Sequence, residues 1–273
     1  MRYSKLLAAC TVVAALSLVI FTAACHKNRT IAEDTGYAAD QALSEQTFND
    51  VQAISDQASG TTGNMSYRTT ATTSGPCARV THLGDSIIID FGPSNCMCRD
   101  GRNRRGQIIV TYTGGGYANA GSVHTITFNN FYQNDNKITG FKRVTNMGNN
   151  SFGQPYFNIH IEGSVTHDGG GTVSTVWDRV RTQTEGAATT DISDDVYHIT
   201  GSGTLTRANG TLVNINIATP LVVAESCRWI EAGTVTFSIG NKTRSLNYGD
   251  TPVCDDNAVL TIANGNTRNV VLP

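Results

Sequence analysis

From Pro155 to Val165 apolar and polar residues alternate. Phe157, Ile159 and Ile161 fall on one face, and Asn158, His160 and Glu162 on the other. A period of two sends successive side chains to opposite faces of a strand. One buried face and one polar face is the pattern of antiparallel sheet. Similar runs occur at Ser86–Phe91, at Gln107–Thr113 with Ile108, Val110 and Tyr112 in phase, at Val123–Tyr132 and at Ile138–Asn146. They continue through Thr172–Gln183, Asp195–Thr206, Thr211–Val223, Arg228–Ile239, Arg244–Tyr248, Ala258–Ala263 and Thr267–Leu272. Asp100-Gly101, Asn209-Gly210, Gly240-Asn241 and Asn264-Gly265 mark turns between runs, and such dipeptides favour hairpins. About ten to twelve strands joined by short turns predict an all-β antiparallel meander. A sandwich and one long curved sheet both satisfy the alternation.

Two stretches break this period. Within 36–58, Ala39, Leu43, Phe48, Val51, Ile54 and Ala58 recur at helical spacing, which predicts one N-terminal amphipathic helix. Its apolar stripe is expected to pack on the β domain. Residues 59–76 are rich in Thr, Gly and Ser and read as a flexible linker. The domain boundary is placed there, with the β domain at 77–273.

At the N-terminus, Arg2 and Lys5 precede an apolar run from Leu6 to Phe21, followed by the small residues Ala23 and Ala24. That order marks a secretory signal peptide. The run is shorter than the roughly 20 apolar residues a spanning helix needs. Thr22-Ala23-Ala24-Cys25 resembles the lipobox of bacterial lipoproteins. The resemblance implies a signal peptide at 1–24, acylation of Cys25 and a polar tether at 25–35. In that family His26, in place of Asp, implies sorting to the outer membrane, with the domain facing the periplasm or the cell surface. Each buried methylene of an acyl chain contributes about 0.8 kcal/mol, so several chains anchor firmly.

Charged residues are only 15% of the chain, and residues 1–24 contain two of its 20 basic residues and none of its 22 acidic ones. The mature chain is therefore mildly acidic, which argues against a nucleic-acid partner. With Cys25 acylated, Cys77, Cys96, Cys98, Cys227 and Cys254 enter an oxidising compartment. We expect Cys77 to pair with Cys96 or Cys98, and Cys227 with Cys254, because each pair flanks a contiguous block of strands. One thiol of the Cys96-Met97-Cys98 group is then left over, and no nearby ligands complete a tetrahedral metal site around it.

Catalytic motifs are scarce. No nucleophile elbow, zinc-protease helix, P-loop or dinucleotide-binding glycine motif is present,. His160 and Glu162 share a strand face and suit an acid–base pair, although such a face is more often solvated surface. His124 alternates with Ile126 and Phe128, which reads as a packed histidine; His82, His167 and His198 lack ligand-like neighbours. Asp191, Ser193, Asp194 and Asp195 form an oxygen-rich cluster, and Asp255 with Asp256 a smaller one. Neither follows a calcium-loop spacing, so both are expected to be solvated loops. Arg99, Arg102, Arg104 and Arg105 surround Asp100. This basic knot suits lipid headgroups or acidic glycans by charge, but a solvated hairpin tip is the expected role. Trp177, Trp229, Tyr112, Tyr132, Tyr156 and Tyr197 are expected mostly in packing; any that are exposed would suit stacking on sugars. No catalytic residue, metal or cofactor is assigned.

The segments CMCRDGRNRRG (96–106), DDVYHITGSGT (194–204) and CRWIEAGTV (227–235) resemble envelope lipoproteins of the Bacteroidota, a resemblance spanning most of 36–273. It implies location and architecture and brings no activity with it. The function expected is a membrane-anchored envelope lipoprotein with a non-catalytic structural or interaction domain. The alternative is a binding protein for glycan or lipid that uses the concave side of a curved sheet. An envelope hydrolase is the third reading.

Overall fold

A computed structural model of the chain describes residues 32–60, 63–65, 77–116 and 118–272. The expected leader, Cys25, the first part of the tether and most of the linker lie outside these residues.

Helix α1 spans 32–59, so it starts four residues earlier than the sequence pattern suggests and includes the end of the expected tether. Its first residues are fixed by strand partners far away in sequence: Asp34 pairs with Arg244. Fifteen strands follow among the described residues. They are β1 (Gly63–Met65), β2 (Ala78–Leu83), β3 (Ser86–Asp90), β4 (Cys96–Met97), β5 (Asn103–Thr113), β6 (Val123–Gln133), β7 (Asn136–Asn149) and β8 (Pro155–Thr166). Then come β9 (Thr172–Glu185), β10 (Val196–Thr206), β11 (Leu212–Ala224), β12 (Ala232–Ile239), β13 (Lys242–Gly249), β14 (Asn257–Thr261) and β15 (Thr267–Val271). β1 lies inside the stretch read as linker, where a run of three residues is too short to show a period.

The strands form one antiparallel sheet in chain order from β1 to β15, with β4 continuing the line of β3 along β5. This is the expected meander, built as a single open, curved sheet. Curvature has a local cause. Register shifts interrupt the pairing of β5 with β6 near Gly106, of β6 with β7, of β10 with β11 and of β11 with β12. An extra residue on one strand bends the strand and increases its twist.

The sheet curls its apolar face around α1. Polar contacts to the helix come from across the sheet, through His82 on β2, Arg102 beside β5, Lys142 on β7, Arg179 on β9 and Arg244 on β13. Between Gln41 and Ser55 every helix residue is buried except Leu43 and Asn49, which are half-buried. The helix is thus buried around its circumference, not laid down by one stripe. A helix that is polar on one side tolerates this only if each buried polar group finds a partner. One apolar core unites α1 residues Phe48, Val51 and Ile54 with strand residues Ile87, Ile108, Ile126, Ile161, Trp177 and Phe237.

Helix and sheet approach closely at Phe48. A methyl group on Gly163 of β8 would lie 2.2 Å from the Phe48 ring, so only glycine leaves the ring room. Trp177 meets Phe48 edge-on, with centroids 6.2 Å apart.

Candidate functional site

The interior is organised by acid–arginine pairs between α1 and the strands. In helix order, Asp34 pairs with Arg244, Asp40 with Arg207, Glu45 with Arg179, Asp50 with Arg102 and Arg104, and Asp56 with Arg181. Arg179 Nη2 donates to Glu45 Oε2 at 3.1 Å, and both side chains are buried. Arg104 donates to Asp100 at 2.8 and 2.6 Å and through Nε to Gln133, which donates in turn to Asp50. Burial opposes ionisation of Asp100, but the Arg104 and Arg102 guanidinium groups outweigh it and hold its carboxyl at about 2. Lys142 Nζ donates to the Phe48 carbonyl at 2.9 Å. Burial, and then repulsion from the Arg181 guanidinium, lowers its pKa to about 7. These charges are joined to one another deep in the core and serve to seat the helix.

The basic knot at 99–105 therefore corrects the sequence reading. Arg102 and Arg104 are fully buried, because Asp50 on α1 and Asp100 on the same turn supply their counter-charges. Only Arg99 and Arg105 stay near the surface, and Arg105 pairs with Asp135 and covers the Tyr132 ring.

Beside this knot is a cavity of about 590 Å³. It lies where the loops β4–β5, β9–β10, β11–β12 and β13–β14 meet the C-terminal part of α1, at Ala53 and Gln57. In an antiparallel meander the β9–β10, β11–β12 and β13–β14 loops fall at one end of the sheet, and the β4–β5 turn is joined to them by the hydrogen bond from Arg228 Nη1 to the Asp100 carbonyl. The Cys227–Cys254 disulfide joins two of them, with Cα atoms 5.7 Å apart. Arg99, Arg228, Trp229, Ser226, Asp191 and Ser193 are among the residues that line the cavity. Arg228 Nη1 donates to the Asp100 carbonyl at 2.8 Å, and the guanidinium lies 4.7 Å from the Trp229 centroid. Arg228 has no carboxylate partner among the described residues; burial, and then neighbouring Arg102, push its pKa down. Arg99 makes no hydrogen bond or ion pair among the described residues, and its Nε is buried. Glu225, also at the cavity, is bound to Arg181 at 3.0 Å.

Arg228 was not singled out by sequence reading. Its signal was its position between a cysteine expected to be bridged and a tryptophan. Trp229 was singled out, and it lines the cavity, whereas Trp177 and Tyr197 are buried.

The remaining candidates fall elsewhere. His160 is on the outer face of the sheet, its Nδ1 2.8 Å from Asp178 and its Nε2 3.1 Å from Glu162. Hydrogen bonds to Asp178 and then Glu162 raise its pKa. Arg143 and Ser202 border a shallow depression of about 460 Å³ beside it. Asp178 supplies the third group that sequence spacing could not show, because it arrives from β9. Both imidazole nitrogens lie within hydrogen-bonding distance of carboxylates. His124 is buried and its Nε2 lies 3.0 Å from Ser122 Oγ.

Asp191, Ser193 and Asp194 form an exposed loop around a single 3-10 turn, in which Asp191 accepts from Ser193. Asp195 is buried and accepts from Tyr197 and Gln183. The cluster thus divides between solvent and core and does not converge on one point. Cys77 bonds Cys96, and Cys98 is a buried free thiol. Cys227, Cys254 and Glu231 lie close together, but the two sulfurs are bonded to each other and offer no thiolate,.

No family model matches the chain, and neither a curated protein nor a solved structure matches it at a significant level.

Proposed function

We propose that the chain is a lipid-anchored lipoprotein of the cell envelope whose β domain is a non-catalytic interaction module. The observation that carries this reading is the burial of α1, around its circumference from Gln41 to Ser55, in the concave face of the sheet. A trough for a glycan or lipid chain on that face is thereby filled by the protein itself. Contact with a partner falls to the loop end, where the cavity lies, and to the outer face. The buried charges that resemble catalytic groups in type are paired with one another and shielded from any substrate. The anchor is supported by the resemblance of Thr22–Cys25 to a lipobox and by the 1–24 leader pattern.

The test expresses the full chain in a Gram-negative host fed radioactive palmitate. The wild-type protein takes up label and partitions with the outer membrane, and Cys25→Ala does neither. Label retained by Cys25→Ala rejects the anchor. A hydrolytic activity that is lost in His160→Gln rejects the non-catalytic part of the proposal.

A further inference from the structure

We propose that the loop-end cavity binds an acidic saccharide residue, with its carboxylate between Arg99 and Arg228 and its ring against Trp229. This deepens the interaction-module reading by naming what the module contacts, and it does not require the lipid anchor.

The first argument is charge. Three carboxylates line the cavity. Asp100 is bound by Arg104 and Arg102, and Glu225 by Arg181. The third, Asp191, is engaged by the backbone and hydroxyl of Ser193. Arg99 and Arg228 are left without a carboxylate among the described residues. Their two loops are in contact: Gly101, two residues from Arg99, lies where a Cβ would be 3.0 Å from Arg228 Nη1. Two guanidinium groups in a partly enclosed space favour a planar, bidentate anion such as a carboxylate.

The second argument is the rest of the wall. A bare inorganic anion would leave Trp229, Ala53 and Ile192 uncovered. A lipid tail would meet Arg99, Arg228 and Asp191 in its path, at the cost of burying charge against hydrocarbon. A pyranose carrying a carboxylate matches both parts. Its C–H face packs on the indole, and its hydroxyls find Ser226, Ser193 and the Asp191 carboxylate along the same wall. About 590 Å³ is within the range of small-ligand sites.

The test is calorimetric titration of the full chain in detergent with tri-galacturonate, with the neutral galactose trimer and with inorganic phosphate. Expected is one site for the uronate, with the neutral trimer at least about tenfold weaker and phosphate unable to displace the uronate at equal concentration. Arg228→Gln and Arg99→Gln each weaken uronate binding about tenfold, the usual effect of losing one charge-assisted hydrogen bond. Arg228→Gln also removes the bond to the Asp100 carbonyl and is checked by near-ultraviolet circular dichroism. Arg99→Gln removes no such bond, so its result reads the site alone. Equal affinity for the neutral trimer, displacement by phosphate, absence of uronate binding, or an unchanged affinity in Arg99→Gln each overturns the proposal. Palmitate labelling is a separate readout, so failure of binding and failure of the anchor are told apart.

Discussion

Lys142 shows how a single residue sets the pH response of this fold. Its ammonium is buried against the Phe48 carbonyl, and burial lowers its pKa from 10.5 to about 7. Between pH 7 and about 10 the unfolded chain binds a proton that the folded chain does not. Stability therefore rises with pH across that window, and the penalty is fully present below pH 7. Lys142→Met is expected to flatten this slope and to stabilise the protein at pH 6 by a few kcal/mol, because the charge no longer needs to be buried. Urea unfolding of both forms at pH 6, 8 and 10 checks it; equal slopes refute the assignment. Asp100 acts in the opposite direction. Its lowered pKa contributes stability above the ordinary aspartate range that is lost as pH falls toward 2,. Lys142 was visible in the sequence as a cation in phase with Ile138 and Val144 on an otherwise apolar strand face. What it touches was not, since Phe48 is 94 residues away.

At the scale of elements, the seating of α1 is the distinctive feature. Periodicity identified the helix and its stripe through Phe48, Val51 and Ile54. It also implied that Gln41, Glu45, Gln52 and Ser55 would face water, whereas all four are buried. The error is physical. A helical wheel sees only its own residues, and the arginines that neutralise this face come from β5, β9 and β13. Their trace in the sequence is faint: Arg179 and Arg181 occupy the same phase of β9 as Val173 and Trp177. A buried pair costs desolvation on both sides, and removal of one partner leaves the other uncompensated. Glu45→Ala, which strands Arg179, is expected to cost about 3–5 kcal/mol. Joint replacement of Glu45 and Arg179 by Met is expected to recover most of this, since apolar groups of similar volume often replace a buried pair at little cost. If the single and double variants unfold at the same urea concentration, the pair does not control seating. Gly163→Ala tests the apolar side of the same contact. The added methyl meets the Phe48 ring, and overpacking of this kind costs about 1–3 kcal/mol, read as a lower thermal midpoint.

For the whole molecule, local signals carried the meander well. Turn dipeptides and alternation placed nearly every strand from β3 to β15, because an in-order antiparallel sheet is built from short-range pairings. The same signals placed a domain boundary at 59–76, where chain composition shifts. They could not report that the chain beyond the shift folds back around the helix before it. That relation leads to a test of the intact fold. The inner face of the sheet carries Arg102, Arg104, Lys142, Arg179 and Arg181, all buried, and α1 supplies a hydrogen-bond or ion-pair partner to each of them, with Asp50 3.7 Å from Arg104. Without α1, a chain of residues 77–273 would enclose five cations around a void lined by apolar side chains, and neither state is tolerated in a packed interior. Such a fragment is expected to lack near-ultraviolet dichroism from Trp177, to bind a hydrophobic dye and to aggregate. The mature chain should instead unfold in one transition seen alike by far-ultraviolet dichroism and tryptophan fluorescence, since helix and sheet share a core. A soluble 77–273 fragment with native dichroism and a cooperative melt would show that the sheet holds its curvature unaided, and that the helix is a passenger in it.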